Sequence, residues 1–397
     1  MNIAIMGFGV VGTGVAKVTE VNAKEIEKRL GFPVYVKTIV DVRTFEGQFA
    51  DRVVADFAIV ENDPEISLVV ETIGGVGVAY AFTKRALAAG KHVVTANKQL
   101  VAEHGSELLA LAKENGVQYL FEASVGGGIP ILHPLVQCMG ANQIEEVCGI
   151  LNGTTNYILT SMVSDGVSFE DALAAAKAKG YAEADPTADV EGIDAGRKIC
   201  ILSNLSYGYQ TRPEVVPMEG ITKITLDDVR IAHDAGYAIK LVGRTVRLED
   251  GDRTAYVAPH LVPHSHPLAH VEDVNNAVVV RGNATGDVMF YGKGAGEMPT
   301  ASACVSDAME ALAGYGTQPT WSEETGGFQD PKVLKTQYYF RIDGSLSDAA
   351  QAFHQVSVLQ EGAQTAFLTE EISGYEAEEG AKALNVLAQM RVLGASK

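Results

Sequence analysis

The chain has 397 residues, enough for two or three domains, and 47% of them are hydrophobic, as in a soluble globular protein with a large core. A formal charge of −19, from 31 Lys and Arg against 50 Asp and Glu, argues against nucleic acid or an anionic membrane surface as a partner. The four cysteines (Cys138, Cys148, Cys200, Cys304) form no CxxC pair, no apolar run is long enough to span a bilayer, and MNIAIMGFG enters a strand at once, so a cytoplasmic protein with free thiols is expected.

From the N-terminus, Asn2–Met6 reads as a strand, followed by a glycine loop and a helix from about Gly14 to Leu30. Strands at Val34–Val42, Ser67–Glu71, Lys91–Thr95 and Val117–Glu122 alternate with helices at Phe82–Ala89 and Gly105–Glu114. That alternation predicts a parallel sheet with right-handed crossovers. Beyond GGGIP (126–130), helices are predicted at about 155–165, 168–179 and 190–206, and strands at about 239–248, 254–262 and 276–281. A glycine-rich stretch at 291–303 leads into a helix over 301–313, and Pro319–Pro331 reads as a polar linker before a small tail. The expected fold class is α/β: a Rossmann-type parallel-sheet domain over 1–128, completed by about 300–330, then an α+β domain over 129–299 and a short tail over 335–397.

Gly7-Phe8-Gly9-Val10-Val11-Gly12 follows a strand and opens a helix. In that setting the first glycine makes the turn, the second admits a pyrophosphate and the third lets helix pack on strand. An acidic residue at the end of the second strand would hold a ribose hydroxyl, and Asp41 stands there; Arg43, two residues on, would suit a 2′-phosphate, so NAD and NADP both remain open. ETIGG (71–75), with Thr72 and Ile73, and TANK (95–98), with Lys98, fall at the carboxyl ends of the third and fourth strands, where such sheets bind ligands.

YAEADPTADVEGIDAGRKI (181–199) crowds Glu183, Asp185, Asp189, Glu191 and Asp194 ahead of Lys198. In a helix over 190–206, Asp194 and Lys198 share a face. A lysine among apolar neighbours beside a carboxylate has a tunable proton affinity; a solvated helical ion pair is the plainer reading.

The string running from Ala176 to Lys198 resembles the signature of the homoserine dehydrogenase family, as do TANK, GILNGTTNYIL (149–159) and GKGAGEMPTASA (292–303). The likeness covers about residues 1 to 330. It implies NAD(P)H-dependent, reversible reduction of L-aspartate 4-semialdehyde to L-homoserine, on the route to threonine, methionine and isoleucine, by a homodimer or homotetramer. It implies Lys198 as the catalytic lysine, with Lys98 supporting cofactor and substrate. Glu183, Asp194, Asp189, Tyr181, Gly153 and Thr154 would line the substrate pocket, and Gly294 and Gly296 a second glycine loop near the cofactor. EASVGGGIP (122–130) resembles the family's monovalent-cation loop, with Glu122, Val125, Gly127 and Ile129 as the matching positions, sodium being the usual ion. The middle domain would carry both catalysis and dimerisation. QYYFRID (337–343) and HQVSVLQEG (354–362) resemble the first two strands of an ACT domain with a shortened helix between them.

Two other readings compete: an NAD(P)-dependent oxidoreductase acting on another small amino or hydroxy acid, and a non-catalytic sensor of dinucleotide and amino acid. The four histidines at 260, 264, 266 and 270 and the thiol of Cys138 are set aside as a zinc site and a nucleophile, for want of a suitable setting.

Overall fold

The computed structural model describes residues 1–315 and 318–394. The chain divides into two units: Met1–Ile144 with Cys200–Pro213 and Arg281–Gly326, and Glu145–Ile199 with Glu214–Val280 and Gly327–Lys397.

The first unit is built on a six-stranded sheet: β1 (Asn2–Met6), β2 (Tyr35–Val40), β3 (Val53–Val54), β4 (Ile66–Glu71), β5 (His92–Thr95) and β6 (Tyr119–Leu120), in the order β3-β2-β1-β4-β5-β6. Every pairing is parallel. The strands are apolar runs because both faces are covered: on one, Ile3, Ile5, Leu68, Val70 and Val94 are buried in a cluster with residues of the helices Val10–Val21 and Glu297–Ala313, and on the other, Ala4, Met6, Val69 and Val93 are fully buried as well. The order reverses between β1 and β4, and the carboxyl ends of those two strands are where a ligand crevice forms in such sheets.

Several boundaries differ from the sequence reading. The first helix starts at Val10 and breaks at Asn22, with a second segment over Ala23–Leu30. The helix placed at Gly105–Glu114 begins at Lys98, because Asn97 caps it by accepting the Leu100 N–H at 3.1 Å. A strand at Gly286–Lys293 lies where glycines hid the alternation.

In the second unit the strands run Asn275–Gly282, Ile144–Ile150, Tyr237–Arg247, Arg253–Pro263, Val386–Val392, Tyr338–Ile342, Thr365–Thr369, Val356–Gln360. The tail therefore continues this sheet: Val386–Val392 pairs parallel with Arg253–Pro263 at Arg391↔His260 and antiparallel with Tyr338–Ile342. Taken alone the tail is a βαββαβ unit with its strands ordered fourth, first, third, second. Its core is Tyr338, Phe340, Ile342, Phe353 and Phe367. Among the described residues no helix is long and apolar enough to cross a membrane.

Candidate active site

In the first unit the glycine turn is fixed by its backbone. Gly7 has φ +89°, and a Cβ there would lie 2.8 Å from the Ile73 backbone; a Cβ on Gly12 would lie 2.0 Å from the Gly7 carbonyl oxygen. Gly9 differs, because a Cβ there would meet nothing within 4 Å. The open space lies at the N-terminus of the helix Val10–Val21, whose N-cap, Gly9, has no side chain to accept the first N–H groups. An uncapped helix start over an open glycine fits a pyrophosphate. Thr72 Oγ1 donates to the Gly7 carbonyl at 2.7 Å and so ties the turn to the end of β4. Phe8 packs inward against Phe45 and Phe49, so only its backbone faces the turn. Val10 is exposed and Val11 half-buried.

Asp41 stands at the end of β2. Its Oδ2 accepts the Phe8 N–H at 2.7 Å and Arg43 Nη2 at 2.7 Å, and its Oδ1 accepts Arg43 N at 2.9 Å and Nε at 3.0 Å. The guanidinium beside it, with the backbone donors, holds its carboxyl down to about 2. The Arg43 side chain remains 59% exposed.

The loops after β4 and β5 are tied together. Buried Glu71 accepts the Ile73 N–H at 2.8 Å and the Thr95 hydroxyl at 2.5 Å, and Asn97 Nδ2 donates to the Gly75 carbonyl at 2.6 Å. Burial pushes the Glu71 carboxyl above its usual range against these hydrogen bonds. Lys98 opens the next helix, half-buried, at the carboxyl end of β5. Gly296 (φ +126°) starts the helix Glu297–Ala313 without a side-chain cap.

The turn from Glu122 is wound around that residue's own carboxylate, which accepts the N–H groups of Ile131, Leu132 and His133 at 2.6, 2.9 and 2.7 Å. Gly127 takes φ +56°, and a Cβ there would lie 2.5 Å from the Gly294 carbonyl oxygen.

Asp194 and Lys198, both in the second unit, share one face of the helix Ile193–Tyr207. Lys198 Nζ donates to Asp194 Oδ2 at 2.6 Å and to the Leu151 carbonyl at 2.7 Å, and both side chains are nearly buried. Asn152 completes the cluster: its Nδ2 donates to Asp194 Oδ2 at 2.9 Å and to Asp189 Oδ1 at 2.7 Å, while its Oδ1 caps the helix Gly153–Ser164. Sequence reasoning named Gly153 and Thr154 and passed over Asn152; an asparagine immediately ahead of a helix was the available signal. Gly153 is pressed to within 2.7 Å (Cβ position) of the Val274 carbonyl, and Thr154 Oγ1 donates to the Tyr181 carbonyl at 2.6 Å. Tyr181 is 40% exposed and packs edge-on against Tyr157. Glu183 is exposed, and its carboxylate accepts no hydrogen bond among the described residues. The structure therefore gathers Asp189, Asp194 and Lys198 around Asn152 and leaves Glu183 outside that network.

The first unit thus carries a glycine turn open to an anion, and the second a buried lysine–carboxylate cluster. Residues 130–309 match the family model described as homoserine dehydrogenase, and residues 7–122 match the one described as homoserine dehydrogenase, NAD binding domain. The homoserine dehydrogenase of Bacillus subtilis is 39% identical over 374 residues, 90% of this chain and 86% of its own length. The chain belongs to the homoserine dehydrogenase family. The Pseudomonas aeruginosa homoserine dehydrogenase is 42% identical over 86% of this chain and 81% of its own. The crystal structure of a homoserine dehydrogenase from Thiobacillus denitrificans matches with a TM-score of 0.91 at 34% identity, over 99% of this chain and 98% of that one. A hyperthermophilic archaeal homoserine dehydrogenase mutant in complex with NADPH matches with a TM-score of 0.68 at 30% identity, over 79% of this chain and 98% of that one. Homoserine dehydrogenase activity, an NAD(P)-dependent oxidation and reduction belonging to amino-acid biosynthesis, is thus the function of this chain.

Proposed function

We propose that the chain interconverts L-aspartate 4-semialdehyde and L-homoserine with Lys198 as the proton-transfer residue. The observation that carries this is the 2.6 Å contact between Lys198 and Asp194 in a nearly buried setting. During reduction the Lys198 ammonium donates a proton to the oxygen of the former aldehyde; in reverse the neutral amine removes it. Asp194 and Asp189, held by Asn152, supply negative charge for the ammonium of the substrate and steady the lysine. Thr154, Gly153 and Tyr181 shape the adjoining wall, and Glu183 reaches the substrate from the exposed side. The nicotinamide, when bound, supplies or accepts the hydride.

The dinucleotide would be held by Gly7–Gly12 and the helix N-terminus behind them, with Thr72, Ile73, Lys98, Gly294 and Gly296 along the strand ends and the second glycine loop. NADP(H) is the preferred form in this reading. Asp41 already accepts hydrogen bonds on both of its oxygens, whereas Arg43 is largely exposed and can meet a 2′-phosphate. The NADPH-bound neighbour supports the same choice. A monovalent cation such as sodium would take the backbone carbonyls of Val125, Gly127 and Ile129; the Glu122 carboxylate already holds three N–H groups. The βαββαβ order of the tail supports an ACT-like unit. Assembly as a homodimer or homotetramer in the cytoplasm follows from the family resemblance, and light scattering checks the subunit number.

The test is a nicotinamide absorbance assay with aspartate semialdehyde, using NADPH and NADH in parallel. Turnover with wild-type protein and its loss in Lys198→Ala support the proposal. Unchanged turnover in that variant removes Lys198 from the mechanism.

A further inference from the structure

We infer that His133, Asp307 and Glu310 form a binding site for a divalent first-row transition-metal ion such as Mn²⁺ or Zn²⁺. Asp307 and Glu310 stand three apart on the helix Glu297–Ala313 and so project from one face, and His133 comes from the end of the turn wound around Glu122. One donor atom from each of the three lies within 4.8 Å of the others. They line a cavity of about 20 Å³, room for a single ion or water, and also border a wider pocket of about 690 Å³ whose far wall carries Arg29.

Three features favour an ion over a plain acidic cluster. Asp307 is only 2% exposed, yet the one hydrogen bond it accepts among the described residues goes to Oδ2, from the Glu122 N–H at 2.8 Å. Its Oδ1 accepts no hydrogen bond among the described residues and is open to an ion. His133 Nε2 lies 2.6 Å from Glu310 Oε2 and 2.8 Å from Gln137 Nε2. Gln137 Nε2 also donates to Glu310 Oε1 at 3.3 Å, so the amide points its donors at both groups, Nε2 presents its lone pair, and the proton between ring and carboxyl rests on Glu310. A metal ion in place of that shared proton is bound by the Nε2 lone pair and the two carboxylates, and the proton leaves to solvent. Finally, one imidazole with two carboxylates is a donor set for first-row divalent ions, with metal–ligand distances of about 2.0–2.2 Å. The His133 side chain is 35% exposed, which gives the ion a way in.

These donors are side-chain atoms, distinct from the backbone carbonyls of Val125, Gly127 and Ile129. The ion would clamp the helix Glu297–Ala313 to the turn that follows β6, and its readout is stability and stoichiometry, independent of turnover. Chelator-stripped full-length protein is titrated with MnCl₂, ZnCl₂ and, as a control, NaCl. Bound metal is counted by elemental analysis and the Tm is followed. Expected are about one divalent ion per chain with a rise in Tm, and at least about tenfold weaker binding in both His133→Gln and Glu310→Gln. Asp307→Asn, whose amide oxygen still accepts the Glu122 N–H, should weaken binding likewise. Circular dichroism establishes that each variant is folded. Three results would overturn the inference: no stoichiometric divalent ion in the wild type, a Tm response to NaCl alone, or divalent binding unchanged in the variants, which would assign it to other histidines.

Discussion

Lys198 Nζ lies 2.6 Å from Asp194 Oδ2, one helical turn away, and the same carboxylate oxygen accepts Asn152 Nδ2 at 2.9 Å. An exposed pair at this spacing contributes only about 0.3–0.5 kcal/mol. Here the two side chains are 10% and 7% exposed, so the contact fixes the position of the amine. Lys198→Ala should lower kcat by about 10²–10⁴-fold while leaving the Kd for the dinucleotide nearly unchanged. Steady-state kinetics and a fluorescence titration of NADPH separate the two.

Asn152 is a positioning residue, since it acts on Asp189 and Asp194 through its amide. Asn152→Ala should raise the KM for aspartate semialdehyde by about tenfold or more, as expected when an outer support is lost. Asn152→Asp should do something a merely structural role would not. A third carboxylate beside the ammonium favours its charged form, so the pH at which proton transfer from Lys198 fails should move upward. A pH profile of kcat that coincides with that of Asn152→Ala would count against this.

The two glycines of the nucleotide turn should respond oppositely to the same change. Gly12→Ala puts a methyl 2.0 Å from the Gly7 carbonyl and should destabilise the fold. Gly9→Ala meets nothing within 4 Å at an ordinary φ of −84°, so its Tm should stay within about 2 °C of wild type. Its Kd for NADPH should nevertheless rise at least about tenfold, because the methyl enters the space the pyrophosphate needs. An unaltered Kd would mean the turn is purely structural.

The proposed preference for NADP(H) rests on Arg43. Removing its guanidinium should lower kcat/KM for NADPH about tenfold or more and leave that for NADH similar or improved, since Asp41 is then freed to accept a ribose hydroxyl. Equal losses with both cofactors would point to a structural role for the Asp41–Arg43 pair.

Much of this was legible in the sequence because the signals are local. β1, the glycine turn and the helix Val10–Val21 follow one another directly, and Asp194 and Lys198 are helix neighbours. Asn152 was legible only as a helix cap, since the carboxylates it holds lie 37 and 42 residues away and only the fold brings them together. Glu183 shows the reverse case: it sits within the same acidic string yet stays exposed, because the chain turns at Asp185-Pro186 before the helix begins. The strand Gly286–Lys293 escaped because glycines at both ends masked its alternation. The start of the helix at Lys98 escaped because the cap, Asn97, was read as part of a ligand motif.

The tail is anchored by a buried ion pair whose pH dependence can be worked out. Arg341 Nε and Nη2 donate to the two oxygens of Asp228 at 2.7 and 3.0 Å, and the Tyr339 hydroxyl adds a third bond at 3.0 Å. Asp228 is fully buried and Arg341 5% exposed. Burial alone would push the Asp228 carboxyl up, but Arg341 and Thr225 outweigh it and hold the group below its ordinary value of 3.8. A depressed carboxyl means the unfolded chain binds the proton first as the pH falls. The stabilisation is therefore present above about pH 4 and drains away on acidification through the lower, folded value. At about pH 7, Asp228→Ala should cost about 3–5 kcal/mol, because it strands a buried guanidinium. Asp228→Asn keeps the shape but not the charge, so its deficit in Tm relative to wild type should be large at about pH 7 and shrink towards about pH 3. A deficit that stays constant across that range would show that the charge of Asp228 contributes nothing, and that packing alone holds the tail in the sheet.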